Sequence, residues 1–370
     1  MDRKPPLQRT TSRATIGDVA ARAGVSIATV SRAINGTAVV AEETARRVEQ
    51  AIYELNYVPQ PAARILAGQK AGAIGLMLPE ISGAFFPPLL RGVEAETRLA
   101  GYDLLIHATD DLSQGKTPHR ALGEHNTDGL IVFIDSLDTA EVERLHRTGF
   151  PLVLLHQSAP ADLTIPTITI ENKDGAYRLV EHLIQVHNRR RIVYLQGPPT
   201  HEDALWRERG YRQALEANGI DFDPTLVADG YFSEEVAFQS ILELIRQGVA
   251  FDAVFSGDDA AASGVLVALK QAGIAVPEAV AVAGFDDVPV ARYLNPPLTT
   301  VSAPTEQVGR AAVQQLLSLI CGEEADPITL LPTRLVVRSS CGCVGDPVDA
   351  RTGTEFMHHE VTEVAQENTI

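Results

Sequence analysis

Residues 15–35 read TIGDVAARAGVSIATVSRAIN, and this stretch decides how the amino-terminal part of the chain folds. Apolar residues recur at i, i+3, i+4 and i+7 in its first half, which predicts a short helix with one apolar face. Thr15 precedes Asp18 by three residues, so the pair resembles a capping box. Gly24 breaks the pattern, and Ser26 is a candidate N-cap for a second helix. Two short helices across a glycine-containing turn predict a helix-turn-helix unit.

The second predicted helix has an outward face that suits the major groove of DNA. A helical wheel turns Ala28, Arg32 and Asn35 away from the apolar stripe that contains Val30. The arginine fork fits the hydrogen-bonding edge of guanine, a contact worth about 1–3 kcal/mol of discrimination between bases. We therefore predict that Arg32 reads a guanine.

Over residues 15–68 the chain resembles the headpiece of the lactose/galactose repressor (LacI/GalR) family of bacterial transcription regulators. Members carry the run D-V-A-x-x-A-G-V-S-x-x-T-V-S-R, which residues 18–32 match at every fixed position. The match continues through A-R-R-V at 45–48, E-L-N-Y-V-P at 54–59 and A-R-I-L-A-G at 63–68. The resemblance implies a homodimeric regulator, expected to be a repressor, that binds a palindromic double-stranded DNA operator under the control of a small-molecule effector. The alternative is a plain helical subdomain.

The resemblance also implies roles for individual residues of the helix-turn-helix. Ile27 and Ala28 occupy the two variable positions that set operator preference, and neither side chain can donate a hydrogen bond. Ile27 lies near the buried side of the helical wheel, so it is either a base contact or part of the core. Phosphate contacts are implied for a set of polar residues: Thr15, Ser26, Thr29, Ser31 and Asn35. Helix capping is the alternative role for this set, and Ser26 can serve both.

A short segment after the helices resembles the family's hinge helix, which we assign to residues 59–70. Pro61 in its first turn and Gly68 at its end are typical of a helix, but isolated helices this short are marginal in water. We expect it to be helical only when something holds it. In the family this helix lies in the minor groove, and a leucine wedges between base pairs and kinks the duplex. Leu66 matches that leucine, with Ala63 in the same segment, and the alternative is that Leu66 packs the linker onto the body.

Length, charge and composition narrow the class of protein. The chain has 370 residues, enough for two or three domains, and a net charge of −17. Residues 1–70 hold ten Lys and Arg against six Asp and Glu, so the remainder carries −21. A basic amino-terminal segment followed by an acidic remainder is typical of a protein that contacts the phosphates of nucleic acid only through its amino-terminal segment. The chain lacks an apolar run of membrane-spanning length, an apolar export signal and a disulfide framework, so we expect a cytoplasmic protein with no membrane contact.

From residue 71 short apolar runs alternate with amphipathic patterns, which predicts parallel sheets covered by helices on both faces. The candidate strands form two series, 74–78, 104–106, 130–133 and 152–155, then 192–195, 253–255 and 280–283. The candidate helices lie around 86–100, 117–125, 139–148, 174–186, 204–218, 234–247 and 259–272. The predicted fold class is α/β: an all-α headpiece with a hinge helix, then a two-lobed body of doubly wound parallel sheets that resembles the periplasmic binding proteins.

The resemblance divides the chain into five segments. They are a disordered arm at 1–13, the helix-turn-helix domain at 14–58, the hinge helix and linker at 59–70, a two-lobed effector-binding and dimerisation domain at 71–343, and a disordered tail at 344–370. The chain is expected to cross between the lobes three times, with lobe 1 at about 71–170 and 303–332 and lobe 2 at about 171–302 and 333–343. Ligands of open α/β sheets bind beyond the carboxyl ends of the strands, so we expect the effector between the lobes.

Seven residues are candidates for binding the effector because they stand at positions that the family uses. Arg207 matches a ligand-clamping arginine, Asp286 its acidic partner and Phe232 a stacking aromatic. The other candidates are Phe85, Phe86, His156 and Asp258. Charged groups over aromatic faces suit a polyhydroxylated ring, so a sugar or sugar derivative is the preferred effector. A nucleobase or nucleoside corepressor is the alternative, and so is a structural Arg207–Asp286 pair among core phenylalanines.

The chain departs from the family pattern near several of these candidates. His156 stands where many relatives carry Asp or Asn, and Ala303 stands where Gln is frequent. Gly83 and Ala84 replace an Asn-Pro pair that often precedes the phenylalanine. At these positions we therefore expect polar contacts to the effector that differ from those of the family.

Other functional classes find little support in the sequence. It contains no nucleophile–base constellation or phosphate loop, so we predict neither an enzyme nor a cofactor. A solute-binding receptor would need an export signal in place of the basic amino-terminal segment. Cys341, Cys343, His358 and His359 match no standard zinc spacing, so we assign no metal site from the sequence.

Overall fold

A computed structural model shows how the chain folds. It describes residues 14–35, 38–57, 70–109 and 121–343. The predicted arm and tail, and the hinge positions Ala63 and Leu66, lie outside these ranges. The chain forms two compact units, which we name the headpiece, up to Ala71, and the body, from Gly72 onward. Within the described ranges no helix has the length and apolar character needed to cross a membrane.

The described part of the headpiece contains the helices α1 (Ile16–Ala23), α2 (Ile27–Asn35) and α3 (Glu42–Leu55). Thr15 caps α1 as predicted: its side chain accepts from the Asp18 N–H at 3.3 Å, and the Asp18 carboxylate accepts from the Thr15 N–H at 2.8 Å. Gly24 ends α1 with a φ of 67°, a conformation that favours glycine. At the start of α2, Ser26 Oγ accepts from the Thr29 N–H at 3.1 Å. The predicted helix-turn-helix is confirmed.

A small apolar core joins the three helices. Val19 and Val30, from α1 and α2, are fully buried and pack with Val48 of α3. Arg47 fastens α3 to the turn after α1, because its Nε donates to the Ala23 carbonyl oxygen at 3.1 Å. Helices this short gain most of their stability from such tertiary packing, so the core fixes the orientation of α2 within the headpiece.

The body contains two parallel sheets. Strands of the first sheet are β1 (Ala73–Leu78), β2 (Asp103–Ala108), β3 (Gly129–Phe133), β4 (Leu152–Leu155), β5 (Thr167–Ile170) and β11 (Ile328–Leu331). Strands of the second are β6 (Ile192–Gln196), β7 (Val227–Asp229), β8 (Ala253–Ser256) and β9 (Ala281–Ala283). Their orders are β11-β5-β4-β3-β1-β2 and β7-β6-β8-β9. A separate antiparallel pair consists of β10 (Thr300–Ser302) and β12 (Arg334–Val336).

Helices alternate with these strands. In the described part of the body they are α4 (Phe86–Leu99), α5 (Thr139–Arg147), α6 (Asn172–Gln185), α7 (Glu202–Ala217), α8 (Glu234–Arg246), α9 (Asp259–Gln271) and α10 (Thr305–Cys321). They carry the chain back to the next strand, a crossover that parallel pairing requires. β1, β3 and β4 are buried along their whole length, which is why they appear in the sequence as unbroken apolar runs. The predicted α/β fold class is confirmed.

The sequence missed several short strands and predicted a helix that does not form where the chain is described. β5, β7 and β12 read TITI, VAD and RLV, without the longer apolar runs that revealed their neighbours. The helix expected around 117–125 is wrong in its described part, because residues 121–125 form a turn. There Asn126 Oδ1 accepts from the Gly123 N–H at 3.1 Å, and Asn126 Nδ2 donates to the Ala121 carbonyl oxygen at 2.7 Å. This local bonding satisfies the backbone without a helix.

α6 and α7 approach each other closely at Gly210, and both helices carry side chains of the candidate site. A Cβ at Gly210 would lie 2.2 Å from the carbonyl oxygen of Lys173, which is too close for any packed pair of atoms. We expect Gly210→Ala to force the helices apart and to lower the free energy of unfolding by about 1–3 kcal/mol. Urea denaturation followed by circular dichroism measures this change. Glu216→Ala, at an exposed position on α7, is the control, and equal stability of the two variants would contradict the close approach.

Candidate functional site

A cavity of about 850 Å³ opens at the carboxyl ends of strands from both sheets of the body. Its walls are the segments that follow β1, β3, β6, β7, β8 and β9, which is where parallel sheets commonly bind ligands. Six of the seven predicted effector residues line it: Phe85, Phe86, Arg207, Phe232, Asp258 and Asp286. The fold therefore gathers side chains from distant parts of the sequence around one space large enough for a small ligand.

Arg207 lines the cavity and is almost fully buried. Its Nε donates to Asn172 Oδ1 at 2.8 Å, and its Nη1 donates to the Gly257 carbonyl oxygen at 2.5 Å. Its Nη2 donates to Asp286 Oδ1 at 3.1 Å, and its Cζ lies 3.9 Å from the centroid of the Phe285 ring. A second carboxylate, that of Asp203, has its Oδ2 3.8 Å from Nη2, and these contacts hold the planar guanidinium in one orientation.

Asp203 lies one helical turn before Arg207 on α7 and was not among the sequence candidates. Its Oδ2 is 2.8 Å from His156 Nδ1, and its Oδ1 accepts from Asn172 Nδ2 at 2.8 Å. Burial acts to raise the pKa of Asp203, but His156 and Arg207 outweigh burial and hold this pKa below its usual range. Asp203 is thus a buried carboxylate that links the histidine to the arginine. The i, i+4 spacing from Arg207 was the signal that could have identified it.

His156 is the predicted effector residue that does not line the cavity. It lies behind the aromatic wall, with ring centroids 5.9 Å from Phe85 and 5.1 Å from Phe133. Its Nδ1 bonds to Asp203, whereas its Nε2 is buried and has no hydrogen-bond partner among the described residues. In this conformation His156 acts on the cavity through Asp203 and the aromatic rings, so direct contact with an effector stays a prediction.

Phe232 reaches the cavity from a turn in an unusual backbone conformation. Tyr231 and Phe232 have φ angles of 50° and 56°, a region that disfavours residues other than glycine. The Phe232 ring lies against Gly197, where a Cβ would be 2.3 Å from the ring, and its centroid is 5.6 Å from Arg207 Cζ. Backbone strain of this kind persists where surrounding packing holds it, and it often accompanies ligand sites.

The cavity is also lined by residues that were not predicted from the sequence. Each lies at the carboxyl end of a strand or in the segment that follows it, and that position was the available signal. They include the rings of Phe133, His201 and Tyr231 and the carboxylates of Glu80, Asp135 and Glu234. Burial lowers the pKa of His201, which favours its neutral form near neutral pH.

Asp258 and Asp286 place two carboxyl groups on the same wall. Burial raises the pKa of both, and the charge of Asp286 helps to raise the pKa of Asp258 to about 7. Arg207 opposes the effect of burial at Asp286. Asp258 also caps α9, because its Oδ1 accepts from the Ala261 N–H at 3.0 Å. Near neutral pH Asp258 can therefore be either an acid that donates a hydrogen bond or a carboxylate that accepts one.

Stability should depend on pH through Asp258. Its pKa of about 7 in the folded chain exceeds the ordinary 3.8, so between these values the folded state binds more protons and stability falls as the pH rises. Asparagine keeps the capping oxygen without the charge. Asp258→Asn should therefore raise the free energy of unfolding by up to about 4 kcal/mol near pH 8, and by much less near pH 4. Urea titrations at both pH values test this, with the exposed α5 cap variant Asp138→Asn as control; equal gains at both pH values would contradict it.

A second cavity, of about 800 Å³, lies between α7 and the sheet edge formed by β5 and β11. Trp206 and Tyr177 line it together with Ile328 of the edge strand. None of the seven predicted effector residues is among its lining residues. The candidate effector site is therefore the first cavity.

The candidate base-contacting surface is the outward side of α2. Arg32 and Ala28 are exposed there, in agreement with the helical wheel. Ile27 is 55% exposed, which excludes the alternative that it belongs to the core. The headpiece thus exposes two apolar side chains, Ile27 and Ala28, at the start of α2, and Arg32 one turn after Ala28. In the major groove the arginine can bond to a guanine, and the apolar side chains can contact a thymine methyl group.

The predicted phosphate contacts include residues that cap helices. Thr15 and Ser26 cap α1 and α2, and Ser26 Oγ is also 2.9 Å from Thr29 Oγ1. Thr15 and Ser26 are nevertheless exposed, and Ser31 is half-buried. The side chain of Asn35 lies outside the described part of the chain. Capping is therefore present, and the phosphate contacts stay predictions.

Comparisons with known proteins identify a matching family for each of the two units. Residues 15–60 match the family of bacterial regulatory proteins named lacI, and residues 180–341 match the periplasmic binding protein-like domain. The HTH-type transcriptional regulator RegA of Clostridium saccharobutylicum is 34% identical over 88% of this chain and 98% of its own length.

Two solved structures are similar along most of the chain. The lac repressor dimer bound to operator and the anti-inducer ONPF has a TM-score of 0.76 at 28% identity, covering 89% of this chain and 99% of that one. The transcriptional regulator CelR–cellobiose complex has a TM-score of 0.64 at 32% identity, covering 89% and 100%. The chain therefore belongs to the LacI family of bacterial transcriptional regulators, and it is a DNA-binding regulator rather than an enzyme.

Proposed function

We propose that this regulator is a cytoplasmic homodimeric repressor that binds a palindromic operator and is controlled by a neutral sugar bound in the cavity of the body. The observation that carries the proposal is the pairing of Arg207 with Asp286 beside the Phe232 ring in one cavity. The guanidinium and the carboxyl groups can bond to hydroxyl groups, while the aromatic rings offer flat apolar walls to C–H groups. A pyranose or furanose ring presents both kinds of surface.

The charge of the cavity favours a neutral ligand over an anionic one. Its basic side chains are Arg207 and Lys270, and its acidic ones are Glu80, Asp135, Asp203, Glu234, Asp258 and Asp286. The guanidinium is already paired with Asp286, so it has little positive potential left for a phosphate or a carboxylate. A sugar phosphate would meet a mostly acidic wall and would lose the solvation of its own charge. We therefore infer an uncharged sugar.

Two relatives support the sugar and the dimer as proposals for this chain. The solved CelR complex contains cellobiose, and the solved lac repressor is a dimer on its operator. A dimer with twofold symmetry needs an operator with matching half-sites. Leu66 and Ala63 are proposed to contact the minor groove from the hinge segment at 59–70.

We also propose that the effector acts by changing the relative placement of two lobes. The division at about 71–170 with 303–332 and 171–302 with 333–343 is supported by the two separate sheets and by the cavity at their carboxyl ends. A change in lobe placement would alter how the paired hinge segments meet on DNA. By linkage, the operator must alter sugar affinity by the same factor with which the sugar alters operator affinity.

A ligand panel on the full-length protein tests this function. Thermal shift should be measured with neutral sugars such as cellobiose, galactose and ribose, with sugar phosphates, and with purines and nucleosides. A neutral sugar at 100 times its Kd should stabilise the fold by about 2.7 kcal/mol. A thermal shift with purines or nucleosides alone would show that the effector is a nucleobase or nucleoside corepressor and not a sugar. A larger shift with sugar phosphates than with neutral sugars would contradict the charge argument.

The regulatory part of the proposal needs a second measurement. An operator selected from random duplexes should contain two symmetric half-sites, and fluorescence anisotropy should show that the active sugar changes its affinity. A selected operator without symmetry would refute the homodimer. Sugar binding without any change in operator affinity would refute the coupling.

A further inference from the structure

Two cysteines and two histidines that are distant in the sequence meet beside the end of α6. His182 lies in the last turn of α6 and His187 just after it, while Cys341 and Cys343 follow β12. Their nitrogen and sulfur ligand atoms all lie within 4.8 Å of one another. Cys343 Sγ is 3.3 Å from His187 Nε2 and 3.7 Å from His182 Nε2. Cys341 Sγ is 3.6 Å from the same His182 nitrogen.

These separations are close to those found around a tetrahedral zinc ion. Zinc–sulfur distances of about 2.3 Å and zinc–nitrogen distances of about 2.0 Å place neighbouring ligand atoms about 3.3–3.8 Å apart. The three sulfur–nitrogen distances already fall in that range. Two thiolates and two imidazoles are also a donor set typical of structural zinc sites.

The fold keeps these donors close together. Cys341 is fully buried, and the other three are partly buried. Gly342 has a φ of 112°, which favours glycine, and a Cβ there would lie 3.0 Å from His187 Nδ1. The C-G-C turn therefore lets the histidine ring approach both sulfurs.

The charge of a divalent ion matches this donor set. Metal-bound thiols lose their protons, and two thiolates neutralise Zn²⁺ in a place where a net charge would be costly to bury. The Cys341 thiol donates to the Arg338 carbonyl oxygen at 3.3 Å. Metal binding would replace this hydrogen bond and release both thiol protons to solvent.

We propose that His182, His187, Cys341 and Cys343 bind a structural Zn²⁺ ion as a complete tetrahedral set of ligands. The ion joins the end of α6 to the segment after β12, and two of its ligands, His187 and Cys343, are 156 residues apart in the sequence. A cross-link over so long a loop restricts the unfolded chain and so stabilises the folded one. None of the four residues lines the effector cavity, so the ion acts on stability and not on effector recognition.

Metal titration of the full-length protein tests the proposal. The protein is reduced with a phosphine, stripped with a chelator and titrated with zinc sulfate in competition with a chromophoric chelator. We expect about one zinc ion per chain and a melting temperature that rises by several degrees when zinc returns. Cobalt in place of zinc should give thiolate charge-transfer bands and the strong visible bands of tetrahedral coordination.

Variants of two of the three partly buried ligands make the test specific. Cys343→Ser and His187→Gln should each weaken zinc binding by about 100-fold or more, because even residues that only support a ligand cost up to about that factor. Cys321→Ser, at the exposed cysteine that ends α10, and His125→Gln, at an exposed histidine, should bind zinc like the parent protein. The cobalt spectrum of the parent protein needs no variant, so a variant that fails to fold does not remove the test.

Three results would overturn the zinc site. One is a reduced full-length protein that takes up no zinc in competition with the chromophoric chelator. Another is a cobalt spectrum without thiolate bands. The third is equal zinc affinity of Cys343→Ser and Cys321→Ser.

Discussion

Arg207→Ala should abolish the response of operator binding to the sugar while operator binding itself persists. The substitution removes the guanidinium that bonds to Asn172, Gly257 and Asp286 on the cavity wall. Truncating a buried, hydrogen-bonded charge costs about 2–5 kcal/mol, so sugar affinity should fall by about 30-fold or more. Isothermal titration with the sugar most active in the thermal-shift panel measures the loss. Fluorescence anisotropy on the operator, with and without that sugar, measures the response.

The controls separate recognition from folding. Arg209→Ala removes the same charge two residues later on α7, where the guanidinium lies over the Trp206 ring, and it should leave sugar affinity unchanged. Loss of Arg207 also leaves Asp203 and Asp286 without their cation and lowers stability. Phe232→Ala keeps this charge network and should still weaken sugar binding through the lost stacking surface. If operator binding by Arg207→Ala responds to the sugar as in the parent protein, Arg207 does not bind the effector.

Arg32→Ala should erase the preference for the operator over unrelated DNA. The contact of arginine with guanine is worth about 1–3 kcal/mol, and a homodimer loses it in both half-sites, so discrimination should fall by about 2–6 kcal/mol. Sugar affinity should not change, because Arg32 belongs to the headpiece and the cavity lies in the body. Competition between operator and scrambled duplexes, followed by anisotropy at fixed salt, measures the ratio.

A matched variant distinguishes base reading from general attraction to phosphate. Arg46 is exposed on α3, where its Nη2 lies 2.7 Å from Glu42 Oε1. Arg46→Ala removes the same formal charge, so it shares any sequence-independent loss, which depends on salt. Its ratio of operator to scrambled affinity should stay near that of the parent protein. A ratio in Arg32→Ala equal to that in Arg46→Ala would show that Arg32 does not read a base.

The sequence predicted the elements whose signals are local. The capping box of Thr15 and the helix-ending Gly24 act within a few residues. Buried strands such as β1 and β3 show as apolar runs, because both of their faces are covered. Short or mixed strands such as β5 escaped because their pairing partners, and not their own residues, define them.

The candidate site was predicted in part. Arg207 and Asp286 were found through the resemblance, and the folded chain brings them within 3.1 Å. Asp203 was missed because nothing in its own neighbourhood marks it as the partner of His156, which lies 47 residues away. The face of α2 was predicted from a helical wheel, which could not decide whether Ile27 is buried, because the packing of α1 and α3 decides that.

The sequence by itself determined the helix-turn-helix, its outward arginine and the alternation of strands and helices, because caps, breaks and periodicity act over a few neighbouring residues. The tertiary structure decided which distant side chains meet: Asp203 with His156, Asn172 with Arg207, and the cysteines at the end of the body with His182 and His187. A hydrogen bond or a metal site depends on atoms placed within a fraction of an ångström. Only the packing of sheets and helices brings residues from such distant parts of the chain to that distance.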